Sequence, residues 1–237
     1  MIRAVLVTSL REMSRRYAAL LFILLLPLAF YLVRIDVHWQ AIRLLSIGIG
    51  WAVATLSLFT FSAARDLDRR LVVAGASSSM LFAGRLAAVL VVGLGLGVVY
   101  SGVVVLTLED LPRAWVVWLL LAVTVLIGAP LGALVSLVIA RELEGALALL
   151  ALMAVQLLVD PDNAYTRLLP LWSTRELTGY ALDAPTANNL SEGLAHFAIT
   201  VGLCVLVAWG SSVLRLRTKL RPDPALRKGR KYAEPSA

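Results

Sequence analysis

The chain has 237 residues, 60% of them hydrophobic and only 16% charged, with a mean hydropathy of +0.86 and a formal charge of +7. A water-soluble domain carries about a quarter charged residues, so this excess of apolar side chains calls for the bilayer as solvent. One cysteine, Cys204, excludes an intrachain disulfide, and two histidines, His38 and His196, offer no spacing for a metal cluster.

Met1–Arg16 reads as an amphipathic helix on the inner membrane surface rather than a plain basic flank. Ile2, Val5, Leu6, Leu10 and Met13 recur at helical spacing opposite Arg3, Glu12, Arg15 and Arg16. A span needs about 20 mostly apolar residues, and six candidates follow: Tyr17–Val33, Leu44–Ala64, Leu86–Leu108, Ala114–Ala140, Gly145–Val159 and Leu194–Leu214. The first ends in Leu-Val-Arg-Ile-Asp, without the small residues of a cleavage site, and reads as an uncleaved helix interrupted by Pro27. The second carries Ser46, Gly50, Val53, Ser57 and Thr60 on one stripe, small residues that line a cavity or, the reading preferred here, bond a neighbouring helix. The third and fourth contain G-x-x-x-G spacings, Gly93–Gly97 and Gly128–Gly132, which suit close helix packing. The fifth is short and holds Gln156.

Two connecting segments are too long and too patterned for bare loops. Arg65–Arg85 begins with the charges Asp66, Asp68, Arg69 and Arg70, continues through Leu71, Val72 and Val73, breaks at Gly75, and restarts at Ser77–Ser79. That predicts a short amphipathic helix, a turn and an N-capped entry into the third span. Asp160–Glu192 mixes Pro161, Pro170 and Pro185 with Leu168, Leu169, Leu171, Trp172 and Leu177, and predicts short helices dipping into the outer leaflet, where backbone must be buried in protein or line a wet cavity. Trp39, Trp115, Trp118 and Trp172 read as an outer aromatic belt.

Orientation follows from charge. Basic residues gather in Met1–Arg16, in Arg65–Arg85, at Arg141 and in the tail from Arg215. Asp36, Glu109, Asp110, Asp160, Asp162, Glu176, Asp183 and Glu192 fall on the opposite side. The positive-inside rule therefore puts both ends in the cytoplasm. Domain organisation reads as one transmembrane domain over 1–214, with an interfacial helix at 1–16, a cytoplasmic loop at 65–85, an outer segment at 160–193 and a basic tail at 215–237. The positive charge is accounted for by anionic headgroups, without nucleic acid.

Motifs of chemistry are missing from the sequence: no G-x-x-x-x-G-K-[ST], no H-E-x-x-H and no G-x-S-x-G. The spans hold almost no ionisable residue of the kind a proton-coupled carrier needs. Arg141, Glu142 and Glu144, at the inner end between the fourth and fifth spans, pair locally or meet a partner. This is the profile of a passive permease powered by another subunit, not of an enzyme.

With Met1–Arg16, the loop Arg65–Arg85 and the stretch Leu168–Leu182 in place, the layout resembles the membrane subunit of a type-2 ABC exporter over nearly the whole chain. The Gly-Thr that members of that family carry in the coupling segment is absent here. The resemblance implies an all-α membrane protein of six transmembrane helices with an N-terminal interfacial helix, a cytoplasmic coupling helix and an outer re-entrant hairpin. It implies a bacterial-type inner membrane, a second permease subunit as partner in a homo- or heterodimer, and P-loop ATPase subunits carrying ATP and Mg, with no cofactor in this chain. Asp66, Asp68, Arg69, Arg70, Gly75 and Ser77 would couple to the ATPase, and Ser46, Ser57, Thr60 and Gln156 would line the pathway on the second and fifth spans. A haem-exporter-like permease of cytochrome c maturation has similar length and span count. A membrane-embedded lipid-processing enzyme would need clustered Asp, His or Asn at the membrane face. A greasy pathway without charge suits an apolar drug, a lipid, a peptide or a polyketide.

Overall fold

The computed structural model describes residues 1–15, 17–108, 111–159, 163–182 and 187–218. The acidic residues Glu109, Asp110, Asp160, Asp162 and Asp183, together with Arg16, Pro161, Pro185 and the tail beyond Thr218, lie outside the described residues. All regular structure among the described residues is helical: α1 (Ile2–Arg15), α2 (Tyr17–Val33), α3 (His38–Ala63), α4 (Arg65–Val73), α5 (Ser78–Thr107), α6 (Ala114–Val138), α7 (Glu142–Leu158), a 3₁₀ turn (Ala164–Leu168), α8 (Trp172–Leu182) and α9 (Ala187–Thr218).

Four of these helices are long and apolar enough to cross a membrane: α3, α5, α6 and, over Leu190–Leu216, α9. Each extends beyond the bounds expected from hydropathy at one end or more, except α6, which stops at Val138 rather than Ala140. α2 keeps its expected bounds and runs through Pro27. At 17 residues each, α2 and α7 reach about 25 Å, short of the roughly 30 Å of a bilayer core.

α3 is the hub. Ala41, Ile42, Leu45, Ile49, Ala52, Ala54 and Leu58 are fully enclosed, and α2, α5, α6, α7 and α8 all pack on it. Its closest neighbour is α6. A Cβ built on Gly132 would collide with the Ala54 carbonyl, and one on Gly128 would sit 2.9 Å from the Gly50 carbonyl. Small residues at these positions let the two backbones meet, which is how helices associate where apolar burial against lipid gains little. The G-x-x-x-G spacing in α6 is thus a packing seam. In α5, Gly93 lies against Val53 and Val125, whereas Gly95 has open space.

The apolar stripe of α1 is not simply laid on lipid. Val5 lies over Gly84 of α5, where a Cβ would come within 2.8 Å, and Ser9 and Met13 are buried. The stripe docks on the start of α5, while Ile2 and Val7 stay exposed.

Candidate functional site

The segment Arg65–Val73 folds as α4, as its pattern predicts, separated from α3 by Ala64 alone. It ends in a Schellman motif: the Ala76 N–H bonds the Leu71 carbonyl at 2.9 Å and the Gly75 N–H bonds Val72 at 3.0 Å. Gly75 sits at φ +95°, a conformation that costs a glycine little and any L side chain strain. Ser77 is the extended residue before α5, but its side chain makes no cap bond. Instead the neighbouring Ser79 Oγ accepts the Trp209 indole N–H at 3.1 Å, tying α5 to α9.

α4 has an outward and an inward side. Asp66, Leu67, Arg69, Arg70 and Val73 are exposed. Arg65 and Asp68 turn inward and carry the attachments. The Asp68 carboxylate takes both branches of the Arg85 guanidinium, from Nε at 3.0 Å and from Nη2, while Arg85 Nη1 reaches Ser9 Oγ of α1 at 3.5 Å. Arg85 is 4% exposed and Asp68 15%. A buried arginine is retained only when its charge and donors are met, and Asp68 meets them. Asp68 is therefore a link to α5 and α1, not an outward-facing charge.

Arg65 makes the other attachment. Its Nη1 donates to the Ala140 carbonyl at 2.9 Å and its Nη2 to Ile139 at 2.9 Å, to Ser136 and to Ser62 Oγ at 3.2 Å. These are the carbonyls left over at the C-terminal end of α6, where a cation is favoured. Burial, and after it the charge of Arg215, pull the Arg65 guanidinium below its ordinary value; Glu142 and Asp66 oppose that. Next along, Arg141 and Glu144 pair with each other at 2.9 Å on the exposed surface. A groove of about 80 Å³ opens between these helix ends, lined by Phe61, Arg65, Asp66, Asp68 and Arg69 and by Ser136, Leu137, Ser212, Arg215 and Leu216.

The residues expected to line a pathway lie elsewhere. Ser46 Oγ and Thr124 Oγ1 share a hydrogen bond of 3.0 Å, and Ser57 Oγ donates to the Ala129 carbonyl at 2.6 Å, both fully buried between α3 and α6. Thr60, half-buried, bonds back to Leu56 within α3. Gln156 ties α7 to the segment before α8: its Oε1 accepts the Leu171 N–H at 2.9 Å, and its own carbonyl accepts from Arg43 at 2.9 Å. Trp51 Nε1 and Thr55 Oγ1 are buried without a hydrogen-bond partner. With Leu58, which meets Gly145 of α7, they fall one turn apart along a single face of α3.

At the opposite end, Leu171 packs against Gly50, about 18 Å along α3 from His38. Arg113, at the start of α6, donates to the Tyr180 carbonyl at 2.6 Å and stacks over the Tyr180 ring. Arg167 lies over Trp172, whose ring meets His196 edge-on, and Arg43 lies over Trp39. Burial pushes the Glu176 carboxyl up, against the pull of Arg175.

Sequence reading missed the two attachments of α4, Arg65 to the Ser136 carbonyl and Arg85 to Asp68 and Ser9. The available signal was an arginine directly after Gly84 at the start of a long apolar helix, where a charge needs a specific partner. Among the described residues no group of His, Cys, Asp or Glu is placed to hold a metal ion. No protein-family model and no curated protein matches the sequence.

Proposed function

We propose that this chain is the membrane permease subunit of an ATP-driven exporter of the type-2 ABC class. In this reading α2 and α7 complete a set of six crossings with both ends in the cytoplasm. Two such subunits enclose the substrate pathway, and P-loop ATPase subunits dock on α4 from the cytoplasm.

The observation that carries it is the construction of α4. A nine-residue helix with an exposed outer side bearing Arg69 and Arg70 is fixed to α6 through Arg65 and to α5 and α1 through Asp68. A force on its outer side reaches three helices without passing through a flexible loop. Asp66, Arg69 and Arg70 then meet the ATPase, Asp68 transmits the movement, and Gly75 and Ser77 shape the return to α5.

The chain between α7 and α9 supports the same reading. Leu171 packs at Gly50, partway along α3, and Tyr180 of α8 meets Arg113 at the start of α6, contacts that the proposed re-entrant hairpin would make. Because Ser46 and Ser57 are spent on the α3–α6 seam, the proposed passage runs on the α3 face toward α7, where Trp51 and Thr55 carry unpaired polar atoms. Gln156 would hold its outer end, whereas Thr60 falls on the opposite face of α3 from Trp51.

Co-purification with a candidate ATPase and measurement of ATP turnover in liposomes test the proposal. Wild type should stimulate and couple the ATPase, and the Arg69→Ala/Arg70→Ala double variant should assemble poorly or hydrolyse ATP without transport. Unchanged coupling in the double variant would reject α4 as the docking element.

A further inference from the structure

With its apolar stripe turned onto α5, α1 leaves its opposite side bare. Arg3, Val7, Arg11 and Arg15 recur every fourth residue along that side, and all four are exposed. Among the described residues no hydrogen bond or ion pair engages any of the three guanidinium groups. Glu12, also exposed, is the only acidic residue of the helix. Three arginines against one glutamate make this side a cationic face.

Its depth follows from the dock. Val5 lies over Gly84, and Ser9 Oγ accepts from Arg85 Nη1 at 3.5 Å. On α5 these two residues directly precede the charge-free run that begins at Leu86 and continues to Thr107. When α5 crosses a membrane, Arg85 therefore marks the edge of the hydrocarbon, and α1 beside it lies among the headgroups. Exposed Met1, Ile2 and Val7 among exposed arginines suit that layer, where apolar and cationic side chains are both accommodated. An acidic protein surface would answer the arginines, but anionic headgroups already occupy this depth.

α1 also reaches α4. The Arg85 guanidinium that donates to Ser9 holds the Asp68 carboxylate as well, so the two helices share one buried cation. A displacement of α1 changes what Arg85 can reach, and with it the hold on α4.

We infer that the Arg3–Arg11–Arg15 face of α1 binds anionic phospholipid headgroups of the inner leaflet, and that this contact sets how firmly α4 is held, through Ser9, Arg85 and Asp68. Membrane charge is then a regulatory input to α4. The inference rests on the orientation proposed above, but not on an ATPase docking at α4.

Hydrogen–deuterium exchange of the full chain in nanodiscs tests it, comparing phosphatidylcholine alone with equal parts of phosphatidylglycerol and phosphatidylcholine. Such discs present the same lipid on both faces and contain no ATPase, so the result is independent of those two readings. Each arginine near an anionic surface contributes about fivefold, and the α1 amides of wild type should exchange at least about tenfold more slowly with phosphatidylglycerol. The α4 amides should slow with them, and high salt should abolish both differences. Arg3→Gln/Arg11→Gln/Arg15→Gln should exchange alike in the two lipids, with the melting temperature of wild type in phosphatidylcholine. Arg69→Gln/Arg70→Gln, which removes charge from α4 instead, should keep the lipid dependence of α1. Ser9→Ala should keep it too, but lose the lipid dependence of α4. Equal exchange of wild-type α1 in the two lipids would overturn the inference, as would a lipid dependence that survives in the triple arginine variant or resists salt. An α4 response that persists in Ser9→Ala would overturn the route through Arg85.

Discussion

Along the seam between α3 and α6, cohesion comes from what is missing: no side chain at Gly128 and Gly132, so the backbone carbonyls of Gly50 and Ala54 come close, with Ser46–Thr124 and Ser57–Ala129 hydrogen bonds in between. At the α4 end, cohesion comes from long charged side chains, Arg65 reaching across to α6 and Arg85 gripping Asp68. The first seam lies within spans, where lipid tails are as apolar as leucine and only close packing and hydrogen bonds distinguish protein from solvent. The second lies at an interface where water competes, so charges hold only when half-buried and multiply bonded. The two seams meet at the C-terminal end of α6, where the Ser136 and Ile139 carbonyls accept from Arg65.

The largest effect is expected from unpairing the buried arginine. Asp68→Leu alone strands the Arg85 charge and should lower stability by about 3 to 5 kcal/mol, as breaking one side of a buried pair does. Asp68→Leu/Arg85→Met should recover most of that loss. Thermal melting of the detergent-purified variants checks both, and a double variant as unstable as the single would mean the pair is worth more than an apolar replacement.

Next comes Gly132→Ala, whose Cβ has nowhere to go but into the Ala54 carbonyl. Overpacking of this kind costs about 1 to 3 kcal/mol. Gly95→Ala in α5, with open space around it, should leave melting unchanged or raise it slightly, because glycine is the weaker helix former. A loss at Gly95 equal to that at Gly132 would show that helix propensity, not the seam, sets the result.

The smallest effect should come from the hydroxyl pair. A double-mutant cycle with Ser46→Ala and Thr124→Val is expected to give a coupling of about 0.6 kcal/mol, the usual worth of a hydrogen bond between spans. A coupling near zero would assign the seam to packing alone.

How much of this was legible from the residues differs between the seams. The α4 turn was, because Gly75 follows the last apolar residue of a charged helix and only a few local bonds decide its geometry. The seam in α6 was half legible: its G-x-x-x-G spacing marks a packing face but does not name the partner backbone. The ends of α3 and α9 were underread because polar residues there look like loop. His38, Trp39, Gln40 and Arg43 are helical, with Arg43 stacked on Trp39 and bonded to the Gln156 carbonyl. The Asp68–Arg85 grip was not legible at all. Seventeen residues and a turn separate the two, and only the return of α5 past α4 brings them together.

Helix length carries one more consequence. α5, at 30 residues, and α9, at 32, reach about 45 Å, while α2 and α7 reach about 25 Å. A bilayer core of roughly 30 Å fits neither pair when they stand upright. The long helices lean or project beyond the hydrocarbon, and where α2 and α7 complete the six crossings proposed above, the lipid beside them thins. A protein so built deforms its membrane unevenly around its own circumference, and membranes of different thickness will favour different inclinations of its longest helices.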